Sequence, residues 1–379
     1  MTSVLLLYAA GVVTAQTRPR ARDLGVPFQG TPGPANAITD VRGVEVGFTT
    51  LVSGSGKLVP GQGPVRTGVT AILPRGKASP NDPVFAGWFS QNGNGEMTGT
   101  TWVEESGFLE GPVMITNTHS VGVVRDAVID WRVGHGAAGA TGYWWSLPVV
   151  AETWDGFLND INGFHVKPEH VKEALDSARS GAVSEGNVGG GTGMICYEFK
   201  GGTGTASREL VAKSGGYTVG VLVQCNCGRR DQLTIAGVPV GREIPEHPAY
   251  GDEGSIIIVI ATDAPLLPHQ LKRLARRATM GLARTGSTSG NGSGDIFIAF
   301  STANSGAATD KGTISLKMVP NDQMNPLFDA TVQATEESIV NAMVAAQTMT
   351  GADSHKAIEL PHDSLKSVLR KYNRLAGPS

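Results

Sequence analysis

The sequence predicts an α+β protein of stacked layers, with helices over a largely mixed or antiparallel sheet. Apolar β-branched runs and helical repeats come in groups rather than in strict alternation, which argues against a doubly wound parallel sheet. Of 379 residues 40% are hydrophobic, ample for a sizeable core. Gly, at 51 residues, has about twice its usual share of about 7% and falls in clusters, so tight turns and close backbone approaches are expected.

The elements follow in order. Residues 4–13 are an apolar run, too short for a membrane span of about 20 residues but suited to a secretory leader that ends near Ala15. A polar stretch, 16–36, reads as a tail or wrap. Residues 38–48 read as strand, turn and strand, and 68–74 as a buried strand. The Gly-rich stretch 92–99 is a candidate functional loop, although a plain turn is the better reading of this motif taken alone. An apolar strand at 113–118 feeds a helix around 121–131, and 148–155 is a strand carrying an acid, Glu152, in an otherwise apolar context. A short amphipathic helix spans 167–180, with Pro168 near its start. Glycine-rich turns at 186–193 and 201–207 flank a strand at 194–200, and 217–228 is a long strand ending in a polar turn. After an acidic, Gly-containing loop, residues 256–263 form a buried strand with Ser255 at its head. Helices are expected at 266–283, 328–349 and 363–370, with a flexible loop at 286–294 and a strand at 296–300. No internal repeat is apparent and no linker divides the chain.

Composition narrows the function. A net charge of -3, with only 17% charged residues of mixed sign, offers no basic stripe for nucleic acid and no polybasic anchor for membranes. Lys272, Arg273, Arg276 and Arg277 form a basic helix face better suited to solvent or internal ion pairs. A small molecule or peptide is the expected substrate. Cys196, Cys225 and Cys227 have no His at zinc-finger spacing, so neither a metal nor a cofactor is expected. The glycine loops lack both the Lys-Ser/Thr ending of a phosphate cradle and a complete dinucleotide fingerprint. His119, His165 and His269 lie outside any nucleophile elbow or zinc-protease helix. What remains is a set of polar residues at strand ends: Ser255, Ser293, Asp295, Asn226 and Glu152. Each could be a cap or turn residue. Ser255 could equally be a nucleophile freed by cleavage after Gly254, its own amine then serving as base.

Gly254-Ser255 with the strand to Asp263, the helix stretch 268–277 and the segment 290–304 resemble the self-processing serine aminopeptidases. That family includes L-aminopeptidase D-Ala-esterase/amidase and the β-peptidyl aminopeptidases. Stretches 38–47, 115–122 and 148–162 are similar to it as well, so the resemblance spans Asp40 to Gly351. It implies a four-layer αββα sandwich of N-terminal-nucleophile type, cut into an α chain, 16–254, and a β chain, 255–379. It further implies Ser255 as nucleophile, Ser293 and Asp295 against its hydroxyl and amine, Asn226 as oxyanion donor and Glu152 as the acid that holds a substrate ammonium. Some relatives carry Tyr where this chain has Trp154; an indole cannot accept a hydrogen bond, so Trp154 is assigned to the pocket lining. The resemblance implies short peptides, amides or esters with a free amino group as substrates, and a tetramer of αβ units. An acyltransferase of related layout is the rival enzyme, since an amine can resolve an acyl-enzyme as water does. A non-catalytic binding protein is the third class, and it would be expected to lack one of Ser255, Ser293 and Asp295.

Overall fold

A computed structural model describes residues 18–246 and 254–376. The leader expected at 1–15 lies outside the described residues. In chain order the first half supplies β1 (Glu45–Ser53), β2 (Val65–Leu73), β3 (Val84–Gly93), α1 (Thr100–Ser106), β4 (Phe108–Leu109), β5 (Val113–Asn117), α2 (Val121–Gly134), β6 (Val149–Thr153) and α3 (Pro168–Asp176). The second half supplies β7 (Ile195–Cys196), β8 (Phe199–Lys200), β9 (Gly202–Glu209), β10 (Thr218–Cys225), α4 (Val240–Glu243), β11 (Ile256–Thr262), α5 (Pro268–Arg284), β12 (Gly294–Ser301), α6 (Asn325–Ala345), β13 (Met349–Thr350), β14 (Lys356–Ala357) and α7 (His362–Lys371).

Two sheets stack face to face. One has the order β1-β2-β5-β6, the other β4-β3-β12-β11-β10-β9. Ile72, Ile115 and Ala151 from the first sheet meet Leu222, Ile257, Val259 and Phe300 from the second in a shared apolar layer. Helices α2 and α3 cover the outer face of the four-stranded sheet through Val124, Val128, Ala174 and Leu175. Helices α5 and α6 cover the outer face of the six-stranded sheet through Leu271, Leu274, Ile339 and Met343. The expected αββα sandwich is the observed one. The two parallel pairs, β5 with β6 and β11 with β12, each need a crossover, and α2 and α5 provide it.

The apolar run of β11 follows from this layering. Ile256, Ile258 and Ile260 face α5 and α6, whereas Ile257, Val259 and Ala261 face the other sheet. Both faces are buried, so no polar residue can alternate, and each isoleucine contributes about 1.5–3 kcal/mol by leaving water.

Several boundaries differ from expectation. Ile38–Asp40 is a single 3-10 turn rather than a strand, and β1 begins at Glu45. Residues 194–200 are a hairpin, β7 and β8, turning on Tyr197 and Glu198 at φ +50° and +59°. The glycine run after it is itself strand β9: a Cβ on Gly204 would stand 2.0 Å from the Ser338 carbonyl oxygen, so the glycine lets α6 seat on the sheet. α6 starts at Asn325 and stops at Ala345, four residues before the expected end. The basic face of α5 is used locally: Lys272 pairs with Glu104, Arg276 stacks on Phe89, and Arg273 and Arg277 lie over Phe328.

The stretch after residue 18 is a wrap held by charge. Arg22 and Arg208 both pair with fully buried Glu337 on α6, at 2.8 and 2.7 Å. Burial pushes the Glu337 carboxyl up, but the Arg22 hydrogen bond and the Arg208 charge outweigh it and hold the group below its ordinary 4.5. Because the folded-state pKa is depressed, this stabilisation is full above about pH 4.5 and is lost as pH falls through the lowered value. Glu337→Ala strands two cations and is expected to cost about 3–5 kcal/mol of unfolding free energy, read from denaturant melts. The same variant should lose less stability than the parent between pH 5 and pH 3, a window of about 2 units around the ordinary carboxylate pKa.

Candidate active site

Three strand ends meet at Ser255. β10 and β11 pair antiparallel with Cys225 opposite Ile256, which sets Asn226 beside Ser255; the Asn226 N–H donates to the Ser255 carbonyl at 3.0 Å. β11 and β12 pair in parallel with Ile256 beside Asp295, which brings Gly294 to the nucleophile candidate. The Gly294 N–H donates to Ser255 Oγ at 3.0 Å. Ser293 Oγ lies 2.7 Å from the Gly254 carbonyl oxygen and 2.6 Å from Asp295 Oδ1. A hydroxyl has one proton, so Ser293 can donate to the Gly254 carbonyl or to Asp295, one at a time. Asp295 is fully buried and Ser255 is 7% exposed.

Asn226 is held at both ends of its amide. Oδ1 accepts from the Ile195 N–H at 2.8 Å, and Nδ2 donates to the Trp154 carbonyl at 2.9 Å. The amide nitrogen carries two hydrogens, and Trp154 takes one. Trp154 thus contributes a main-chain acceptor as well as a half-exposed ring on the cavity wall.

Glu152 comes from the other sheet. β5 and β6 pair in parallel with Thr116 beside Glu152, so Thr118, just past β5, donates to Glu152 Oε2, and the Glu96 N–H donates to Oε1 at 2.9 Å. Burial pushes the Glu152 carboxyl above its ordinary value, opposed by the Thr118 and Glu96 backbone hydrogen bonds. The Glu96 carboxylate pushes it further up, and His119 draws it down. One cavity of about 370 Å³ has Glu96, Thr118, Glu152, Trp154, Asn226 and Ser255 in its wall. Its two ionisable groups are both acids, so the cavity suits a cation at one end and a hydroxyl nucleophile at the other. Among the described residues no group of three or more His, Cys, Asp or Glu is placed to hold a metal ion, and no helix is long and apolar enough to cross a membrane.

Of the sequence candidates, Gly254, Ser255, Asn226, Glu152 and Trp154 border the cavity, and Ser293 and Asp295 reach it through the Ser293 hydroxyl, which lies between the Gly254 carbonyl and Asp295. The histidines do not. His165 pairs with Asp160, and His119 stacks on Phe164. Sequence reasoning missed Thr118, the Gly294 N–H, and a buried support made of Asp155, Asn117 and Asn159. Asn117 and Asn159 both donate to Asp155 at 3.0 Å, and burial pushes the Asp155 carboxyl up to about 6. The one local signal for this support was a run of polar residues directly after each of two apolar strands. Cys196, Cys225 and Cys227 are free and buried, and the sulfurs of Cys196 and Cys227 are 3.7 Å apart.

The chain is similar to known proteins over nearly its whole length. The model of peptidase family S58 matches residues 36–357. The chain is 58% identical to β-peptidyl aminopeptidase BapA of Sphingosinicella microcystinivorans, covering 97% of this chain and 96% of that protein. Its structure is similar to that of L-aminopeptidase D-Ala-esterase/amidase from Ochrobactrum anthropi, described as a prototype serine aminopeptidase and a variant of the Ntn hydrolase fold. That match has a TM-score of 0.89 and 50% identity over 95% of this chain and all of the other. A β-aminopeptidase from a Burkholderia species matches with a TM-score of 0.87 and 49% identity, over 93% of this chain and 99% of the other. The chain belongs to peptidase family S58 and is a serine aminopeptidase of the N-terminal-nucleophile type.

Proposed function

We propose that the precursor cuts its own Gly254-Ser255 bond and that Ser255, as a new amino terminus, then releases N-terminal residues from short peptides, amides or esters. The observation that carries this is the convergence on one bond: Ser293 Oγ at 2.7 Å from the Gly254 carbonyl, and the Gly294 N–H at 3.0 Å from Ser255 Oγ. In the precursor, Ser255 Oγ attacks the Gly254 carbonyl carbon, the C–N bond breaks to leave an ester and a free amine, and water hydrolyses the ester. An α-amine with an ordinary pKa of about 7.7–8.0 then takes the Ser255 hydroxyl proton during attack on substrate. Asn226 Nδ2 stabilises the oxyanion, the protonated leaving amine departs, and water resolves the acyl-enzyme. Ser293 and Asp295 orient the nucleophile and its amine. Glu152 receives the substrate ammonium, which excludes internal peptide bonds and makes the enzyme an aminopeptidase.

The relatives named as β-peptidyl aminopeptidases, at 58% and 50% identity, support β-aminoacyl peptides among the substrates. A tetramer of αβ units and export behind residues 1–15 complete the reading. An acyltransferase has no observation in its favour.

Purified protein is expected to run as two fragments, the smaller with Ser255 at its amino terminus by sequencing. Ser255→Ala should stay uncut and inactive; an uncut chain with full amidase activity would place the nucleophile elsewhere. Acetylating the substrate amine should abolish turnover, and Glu152→Gln should lower kcat/KM by about 10- to 100-fold, the worth of a hydrogen bond to a charged group. Since burial raises the Glu152 pKa, kcat/KM should fall as pH drops through that raised value. Thr118→Val removes a donor that favours the carboxylate and should move this acid limb to higher pH.

A further inference from the structure

Lys200, in β8, is fully buried, and its ammonium faces main-chain carbonyls. Nζ donates to the carbonyls of Met194 at 2.7 Å, Gly201 at 2.9 Å and Gly191 at 3.4 Å. Burial draws its pKa down to about 7, Cys196 draws it back up, and three acceptors favour the charged form. A buried cation is costly, and neither the fold nor the proposed chemistry so far gives it a task.

One of its acceptors belongs to a peptide unit that reaches the site. The carbonyl of Met194 accepts from Lys200 Nζ, and the N–H of the same planar unit, on Ile195, donates to Asn226 Oδ1 at 2.8 Å. Asn226 Nδ2 is the donor at the cavity wall. Charge at one end of such a chain polarises each bond in turn: the peptide carbonyl makes the Ile195 N–H a stronger donor, and the Asn226 amide in turn becomes more positive at Nδ2. The hairpin that carries Lys200 is clamped for this arrangement. Its left-handed turn at Tyr197 and Glu198 is held by Arg230, which donates to both carbonyls at 3.0 and 2.8 Å.

We propose that Lys200 is a positioning residue for the reaction: through the Met194-Ile195 peptide it orients and polarises the Asn226 amide, supplying positive charge to the oxyanion from behind, with no Lys, Arg or His side chain in the cavity wall. This rests on Asn226 being the oxyanion donor. It explains how a neutral amide can stabilise an anion without a cationic side chain beside the substrate ammonium at Glu152.

The test is a double-mutant cycle on purified enzyme, with rates per Ser255 amino terminus so that incomplete self-cleavage does not distort them. Lys200→Met is expected to lower kcat on an aminoacyl anilide about tenfold or more, with KM changed less than about twofold, as loss of transition-state charge stabilisation requires. Lys200→Gln, which keeps a donor without the charge, should fall between Met and the parent. In an Asn226→Ala background the Lys200→Met step should cost less than about twofold, because the amide it acts through is gone. An equal loss in both backgrounds, or a rise in KM with kcat kept, overturns the proposal while leaving Asn226 its role. If Asn226→Ala itself keeps full kcat, the oxyanion assignment and the Lys200 role fall together. Thermal melts of each variant verify folding, and if Lys200→Met does not fold, Lys200→Gln is carried through the same cycle.

Discussion

The site depends on the pairing of three strand ends. Asn226 ends one strand, Ser255 precedes the next, and Ser293 to Asp295 open the third, and no two of these stretches are near in sequence. Their meeting is fixed by the registers of β10 with β11 and β11 with β12. Register is strongly specified wherever both faces of a strand are buried, since a one-residue slip would exchange Ile256, Ile258 and Ile260 with Ile257, Val259 and Ala261 between layers that differ in shape. The same apolar packing that stabilises the sandwich therefore holds the hydroxyl, amide and carboxylate in place. Precision at the site needs no flexible loop to supply it.

Charge is distributed around this frame so that each buried ion has partners of its own. Glu152 has Thr118 and the Glu96 N–H, Asp155 has two asparagine amides, Lys200 has three carbonyls, and Glu337 has two arginines. Only the last is an ion pair serving the fold alone. Glu152 lies in the cavity wall, where hydrogen bonds from neutral groups hold a charge without cancelling its field. A carboxylate neutralised by arginine would bind a substrate ammonium poorly. Glu152 is held by a hydroxyl and a main-chain amide instead.

Legibility in the sequence followed the physical origin of each feature. Layering could be read because it rests on runs of apolar residues, and α2, α3, α5 and α7 appeared close to their expected positions because each has a one-sided apolar stripe. The hairpin at 194–200 could not be read, because its turn uses Tyr197 and Glu198 in a conformation that sequence rules reserve for Gly or Asn. β9 was hidden for the opposite reason: its glycines read as loop, yet Gly202 and Gly204 are there to admit neighbouring backbone. At the site, the residues at strand ends were legible through resemblance to a family. Thr118, Asn117, Asn159 and Lys200 act through contacts between distant segments, for which no spacing rule exists.

The residue before Ser255 is constrained by the same geometry. A Cβ on Gly254 would stand 2.0 Å from the Asn226 carbonyl oxygen and 2.8 Å from its Nδ2, well inside contact distance. Any side chain there would push the bond away from the amide or push the amide off its Ile195 and Trp154 partners. Gly254 thus satisfies a steric condition imposed by Asn226, and a side chain at this position would close the space between the bond before Ser255 and the Asn226 amide.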